Sequence, residues 1–273
     1  MTKAPDRDLR KPPKSATIVP LDERLGIQSV EVGMALLAAL SRAPGPLALK
    51  ALAEAAGMSS SKAHRYLVSY GRAGLVVQDP RSSKYDLGPL ALSIGMAALS
   101  RFDVLRAAEG VLEEIRDRIN ETVAIFVWTN RGPAVARILQ SGHPVIITMQ
   151  VGTVLPILPT AAGRVFAAFL PAIQTQPYID SELSAQQRPR ALDDKQVEAI
   201  VADVRARRLA RIEGDYVPGV SVLAVPIFDP DGHIAAVLGV LGRTEALEAS
   251  YDGPVARALH EYAERLSNLA KPR

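Results

Sequence analysis

From Ser29 onward, apolar residues recur every three to four positions. In SVEVGMALLAALSRAPGP, Val32, Leu36, Leu37 and Leu40 share one helical face, and Pro44-Gly45-Pro46 stops the helix. LALKALAEAAG predicts a second short helix with Leu49, Leu52 and Ala53 inward, and Gly57 stands where a helix C-terminus favours a left-handed residue. A third helix follows, with Ala63, Tyr66, Leu67 and Tyr70 as its inner stripe and Gly74 as its end. Ser59 is its natural N-cap, with a hydroxyl expected to accept from the first backbone N–H groups. The period then changes from 3.6 to two. LVVQDPRSSKYDLG predicts a hairpin with Asp79-Pro80 and Ser82-Ser83 at its tip.

Farther on, PLALSIGMAALS is apolar on more than one side, at Leu90, Leu92, Ile94, Met96 and Leu99, which predicts a linker helix that buries surface against a second subunit. An amphipathic helix is expected over 103–120. Beyond Asn120 come the strands TVAIFVWT, AVARILQ and VIITMQV, joined by the turns NRGP and SGHP. SVLAVPIFD and HIAAVLGVLG form a later pair around PDG, and PVARALHEYAERLSNLA closes the chain as a helix. Adjacent strands joined by tight turns imply an antiparallel sheet flanked by helices, hence an α+β fold. Residues 1–26 are charged, carry three prolines within the first 13 positions and have no apolar period, so they are expected to be a disordered tail. The division that follows is tail 1–26, winged helix-turn-helix 27–88, linker helix 89–102 and a larger domain over 103–273.

Charge sharpens this division. Residues 1–88 hold 13 Lys/Arg against 8 Asp/Glu, whereas 89–273 hold 19 against 21, so the basic surplus sits at the N-terminal end. A small basic module built from two short helices and a hairpin points to double-stranded DNA. The hydroxyls of Ser59, Ser60 and Ser61 would cap the recognition helix and donate to phosphates. Lys62, His64 and Arg65 would meet backbone and base edges, and Arg81 and Lys84 would reach from the wing. A charged face on a lone helix is usually just solvated; the tandem helices and the hairpin change that reading.

The chemistry that is missing narrows the rest. There is no cysteine, and the four histidines (64, 143, 233 and 260) have no metal-ligand spacing; GxSxG and phosphate-loop motifs are absent as well. No enzyme, metal or cofactor is therefore expected. DPDG has one fragment of a calcium loop but lacks its alternating ligands and final Glu, and reads as a hairpin turn. No apolar run reaches about 18 residues and the N-terminus is unlike a signal peptide, so a soluble cytoplasmic protein without membrane contact is expected.

AGMSSSKAHRYL, YDLG (85–88), VGTVLPILPTAAGRVFAAF (151–169) and VPGVSVLAVPIFDPDG (217–232), in this order and spacing, resemble the IclR family of bacterial transcriptional regulators from about residue 27 onward. The resemblance implies a winged helix-turn-helix, a linker helix and a GAF-like domain that senses a small carboxylate. It also implies dimers or tetramers on inverted-repeat operators. TAAG matches one side of the family's effector pocket. There Thr160 could cap a helix whose free N–H groups receive an anion, with Ala161, Ala162 and Gly163 small enough to let it approach. Close helix-to-sheet packing would favour the same small residues. Other pocket positions depart from the family pattern. Ile212, with Glu213 adjacent, stands where many members have an acid; Val222, Gly239 and Leu241 stand where many have Cys and two Ser. A pocket stripped of those groups suits an apolar-bodied acid, aromatic or branched, better than a small hydroxylated one. The alternative is a DNA-binding protein whose larger domain only oligomerises.

Overall fold

The computed structural model describes residues 27–100, 103–108, 110–142, 149–184 and 192–269. The expected tail over 1–26 and His143 lie outside them. The chain divides into two compact units at Gly95/Met96.

In the first unit, α1 (Gln28–Arg42), α2 (Leu49–Ala55) and α3 (Ser60–Arg72) are followed by the strands β1 (Val76–Gln78) and β2 (Tyr85–Leu87). The apolar spacing read above closes a small core around Leu36, Leu40, Leu52, Ala63, Leu67, Val76 and Tyr85. Tyr66 and Tyr70 pack partly buried against its edge. β1 and β2 pair antiparallel as a wing, and Leu47 extends it by exchanging backbone bonds of 2.9 and 2.8 Å with Tyr85. At the tip, Asp79 Oδ1 accepts from the backbone N–H groups of Arg81 (2.9 Å) and Ser82 (2.6 Å) and from the Ser82 hydroxyl (3.0 Å). These bonds, those of Ser82 first, hold the Asp79 carboxyl below its ordinary range. After the wing, α4 (Pro89–Ser100) leaves Leu90, Leu92, Ile94 and Met96 exposed.

The second unit comprises α5 (Asp103–Ala107), α6 (Val111–Ile119), β3 (Thr122–Thr129), β4 (Gly132–Leu139), α7 (Ala161–Phe169), α8 (Ala172–Ser184), α9 (Asp194–Arg207), β5 (Ala210–Glu213), β6 (Val220–Phe228), β7 (Ile234–Arg243) and α10 (Pro254–Leu269). Among the described residues the sheet runs β4-β3-β7-β6-β5, with every neighbouring pair antiparallel. The overall fold is α+β.

Strand alternation sorts the side chains. Val123, Ile125, Val127, Leu223, Val225, Ile227, Ala236, Leu238 and Val240 face a core shared with α5, α6 and α10. Ala124, Phe126, Ala224, Val237 and Leu241 face a second core shared with α7 and α9. Covering both faces is why these strands read as almost continuous apolar runs.

Four local expectations need correction. The helix expected over 103–120 is two helices, because Gly110 takes φ +82° where α6 begins. Of the strand VIITMQV, 145–148 lie outside the described residues, and 149–151 are not strand. Instead, 152–155 run beside β4, with Val135 N–H donating to Thr153 (2.9 Å) and Leu155 N–H to Pro133 (2.8 Å). Ser59 has the extended backbone of an N-cap, but its hydroxyl lies 3.4 Å from that of Ser61 and does not cap α3. α8, α9 and β5 were not foreseen. Pro177 lies inside α8, and the capping box of Asp193 with Gln196 starts α9 at the end of a stretch not described here.

Candidate functional site

Ser59, Ser60, Ser61, Lys62, His64 and Arg65 are all exposed, at the start of α3; Arg81 and Lys84 are exposed at the wing tip. With the Ser59 hydroxyl turned to that of Ser61 (3.4 Å) and not to the backbone, the N–H groups of Ser60, Ser61 and Lys62 have no hydrogen-bond partner among the described residues. A cleft of about 570 Å³ separates the helices from the wing, lined by Lys50, Ser60, Ser61, His64, Gln78, Ser82, Ser83 and Tyr85 with Ala48 and Leu49. No acidic residue among those described lines it. Among the described residues, none of Lys50, Lys62, Arg65, Arg81 and Lys84 is in an ion pair. Of the expected DNA-binding residues, Ser60, Ser61 and His64 line the cleft, while Ser59, Lys62, Arg65, Arg81 and Lys84 do not. Exposed cations on α3 and the wing tip, with free N–H donors at the helix start, suit a polyanion. Lys50 and Gln78 escaped the sequence reading because only the folded arrangement of α2 and wing brings them to the cleft.

The second unit contains a half-open chamber of about 490 Å³ between the sheet and the start of α7. Its lining is Phe126, Met149, Thr153, Leu155, Pro159, Thr160, Ala161, Ala162, Ile212, Tyr216, Val217, Val220, Val222 and Leu241. Among the described residues no Lys, Arg, His, Asp or Glu lines it, so donors there are few. Thr160 caps α7: its hydroxyl accepts from Gly163 N–H (3.1 Å) and donates to the Pro156 carbonyl (2.6 Å). Thr153 Oγ1 accepts from Gln150 N–H (3.0 Å). The N–H groups of Ala161 and Ala162 have no partner among the described residues, though both residues are buried. Two adjacent N–H groups at a helix start, in an otherwise apolar chamber, suit one carboxylate.

Of the eight residues expected around this chamber, Thr160, Ala161, Ala162, Val222 and Leu241 line it, and three do not. At Gly163 a Cβ would overlap the carbonyl oxygen and Cα of Ile157, so glycine there answers close backbone packing. At Gly239 a Cβ would come within 2.9 Å of the Phe126 ring, so that glycine makes room for an aromatic which itself forms the wall. Glu213 is exposed and ion-paired with Arg211 on the face of β5 opposite Ile212, which takes the inward position. Phe126, Met149, Thr153, Leu155, Pro159, Tyr216, Val217 and Val220 were missed. They come from separate segments, and only a β-bulge in the β3–β4 pairing at Ile125/Phe126 hints at irregularity here.

The other titratable groups have local roles. Arg164 turns its Nε to the Leu158 carbonyl (2.7 Å), and burial draws its guanidinium below the usual range while Asp215 and Tyr251 oppose the change. At the β6–β7 turn, Asp229, Asp231 and His233 place ligand atoms within 4.8 Å of one another. Asp229 Oδ1, however, accepts the backbone N–H groups of Asp231 and His233, each at 2.9 Å, as a hairpin turn requires. No described helix is long and apolar enough to cross a membrane.

The family model for the C-terminal domain of the bacterial transcriptional regulator IclR matches residues 96–268, and that for the IclR helix-turn-helix domain matches residues 29–80. The chain is 25% identical over 250 residues to the DNA-binding transcriptional repressor YiaJ of Escherichia coli K12, covering 89% of this chain and 88% of the relative. It is 39% identical to HmgR of Pseudomonas aeruginosa, whose crystal structure superposes with a TM-score of 0.57 over 88% of this chain and 97% of that one. An IclR homolog from Microbacterium hydrocarbonoxydans, crystallised with 4-hydroxybenzoate, shares the fold at 18% identity, with a TM-score of 0.72 over 89% of this chain and 98% of that one.

Proposed function

Since the chain belongs to the IclR family of transcriptional regulators, we propose that it is a DNA-binding regulator whose operator affinity responds to a small, apolar-bodied organic acid. The observation that carries this reading is the chamber: mostly apolar walls around two N–H groups, with neither a partner for them nor a charged side chain in the lining among the described residues. The carboxylate would sit at Ala161 and Ala162, with Phe126, Val222 and Leu241 against the body of the acid. A sugar acid or small hydroxy acid would leave buried hydroxyls without partners there. The 4-hydroxybenzoate held by the Microbacterium homolog is of the class this chamber favours.

On the DNA side, α3 would enter the major groove with Arg65 at base edges. Ser59–Ser61, Lys62 and His64 would contact backbone and neighbouring edges, and Arg81 and Lys84 would grip phosphates from the wing. The exposed apolar residues of α4 favour a homodimer or tetramer, which would call for an inverted-repeat operator with half-sites about 34 Å apart or a multiple of it. The relatives are transcriptional regulators and no enzyme family is indicated. A cytoplasmic home follows from the DNA target.

Thermal melting of the purified protein against benzoate, 4-hydroxybenzoate, phenylacetate, isovalerate, glyoxylate and glycerate tests this directly. The first four should stabilise it, by about 2.7 kcal/mol at 100 times the dissociation constant, and should change operator affinity. If no acid altered operator affinity, the larger domain would be an oligomerisation module only.

A further inference from the structure

The segment 156–160 forms one wall of the chamber through Pro159 and Thr160 and delivers the chain into α7. Its polar backbone is held on all sides. The Pro156 carbonyl accepts from the Thr160 hydroxyl (2.6 Å) and the Leu158 carbonyl from Arg164 Nε (2.7 Å). Ile157 N–H donates to Glu182 Oε1 (2.5 Å), and Leu158 N–H donates to Glu182 Oε2 (2.9 Å). Ile157 and Leu158 are only 1% and 6% exposed, so water cannot readily replace that carboxylate. Thr160 and Arg164 are local to the segment; Glu182 comes from α8, 24 residues beyond Leu158. Because Gly163 is seated directly on the Ile157 backbone, the position of Ile157 sets the position of the first turn of α7, and with it the N–H groups of Ala161 and Ala162.

We infer that Glu182 is a positioning residue for ligand binding: its two oxygens fix the 157–158 amides so that the α7 start faces the chamber. The inference rests on the acid-binding reading above. Glu182 does not line the chamber, so it acts through the segment it holds. α8 is anchored at a second point, where Tyr178 donates to the Asn130 carbonyl (2.7 Å). Its ring meets Trp128 edge-on at 5.4 Å, while Trp128 lies 5.5 Å from Phe166 of α7. Trp128, the single tryptophan of the chain, therefore touches both helices and can report binding by its fluorescence.

The test compares wild type, Glu182→Gln and Asp180→Asn as full-length proteins. Glu182→Gln keeps size and one acceptor oxygen but sets an NH2 donor against the other N–H. Among the described residues the Asp180 carboxylate accepts only from the exposed Gln176 side chain one turn earlier (2.7 Å), so its variant controls for the helix itself. Hydrogen exchange over 153–164, read by mass spectrometry, should quicken about tenfold in Glu182→Gln, and affinity for the best-bound of benzoate, 4-hydroxybenzoate, phenylacetate and isovalerate should fall about tenfold, with cooperative melting retained. Asp180→Asn should match wild type in both. Unchanged exchange in Glu182→Gln would overturn the inference and leave the acid-binding reading standing. Faster exchange with unchanged acid affinity would make Glu182 structural only, and the same losses in Asp180→Asn would assign them to α8 as a whole; either result overturns the inference. Wild type binding none of the four acids would overturn the acid-binding reading and this inference with it, a failure the exchange data keep distinct.

Discussion

The cleft of the first unit and the chamber of the second both offer unpartnered backbone N–H groups at a helix start, yet they are built for different anions. On the first unit, Lys50 in the cleft and the exposed Lys62, Arg65, Arg81 and Lys84 of α3 and the wing tip are free of ion pairs among the described residues. Among the described residues no charged side chain lines the chamber, and its walls are mostly apolar. A polyanion on an open surface is best met by many mobile cations, each of modest strength and screened by salt. A single carboxylate in an apolar recess can be met by two fixed dipoles, because apolar walls lower the local dielectric and strengthen each bond, and an unpaired buried cation would be costly.

This contrast can be broken most easily with salt. For six to ten phosphate contacts, operator affinity should drop about 10³–10⁵-fold between 50 and 200 mM salt. Acid binding, followed by Trp128 fluorescence, should move less than about twofold over the same range. A salt dependence of similar steepness for both would place cations at the chamber.

Gly163→Val separates packing from ligand access. It should cost about 1–3 kcal/mol of stability with or without an acid present, because the added carbons meet the Ile157 backbone. An unchanged melting temperature with lost acid response would return Gly163 to the chamber wall. On the other unit, Arg65→Ala should cost about 1–3 kcal/mol on the cognate operator and relax its specificity, whereas Arg81→Ala and Lys84→Ala should each lower the salt slope by about one on every duplex. Equal loss across sequences for Arg65→Ala would move it to the phosphates. The smallest effect belongs to Ser59→Ala, which removes no capping bond and should change stability by less than about 0.5 kcal/mol. A loss near the ~1 kcal/mol typical of an N-cap would show that the hydroxyl does cap α3 in solution.

The helix-turn-helix and wing were legible because their signals are local: apolar spacing, turn residues at fixed offsets, and charge on the opposite face. The doubly covered strands β3, β6 and β7 were legible for a related reason, since continuous apolar runs bounded by turns have few other solutions. Of the expected positions, the chamber was legible only at Thr160, Ala161 and Ala162 and at the strand positions Val222 and Leu241. Glu213 was misread because position along a strand says nothing of which face is inward until the register is set, and there Ile212 took the inward place. Gly163 and Gly239 look alike in sequence, yet one accommodates the Ile157 backbone and the other the Phe126 ring.

By itself, then, the sequence determined the helix-turn-helix and wing, the strands β3, β4, β6 and β7, the closing helix, the α+β class, the basic face of α3 and the apolar character of the larger domain, all of which depend on neighbours within a few residues. Tertiary structure alone decided which groups share a space: Lys50 with the wing, Met149 and Tyr216 with Leu241, and Glu182 with amides 24 and 25 residues before it. Such meetings depend on sheet register and on how the chain packs back upon itself, where many distant contacts are satisfied at once and no local pattern records the outcome.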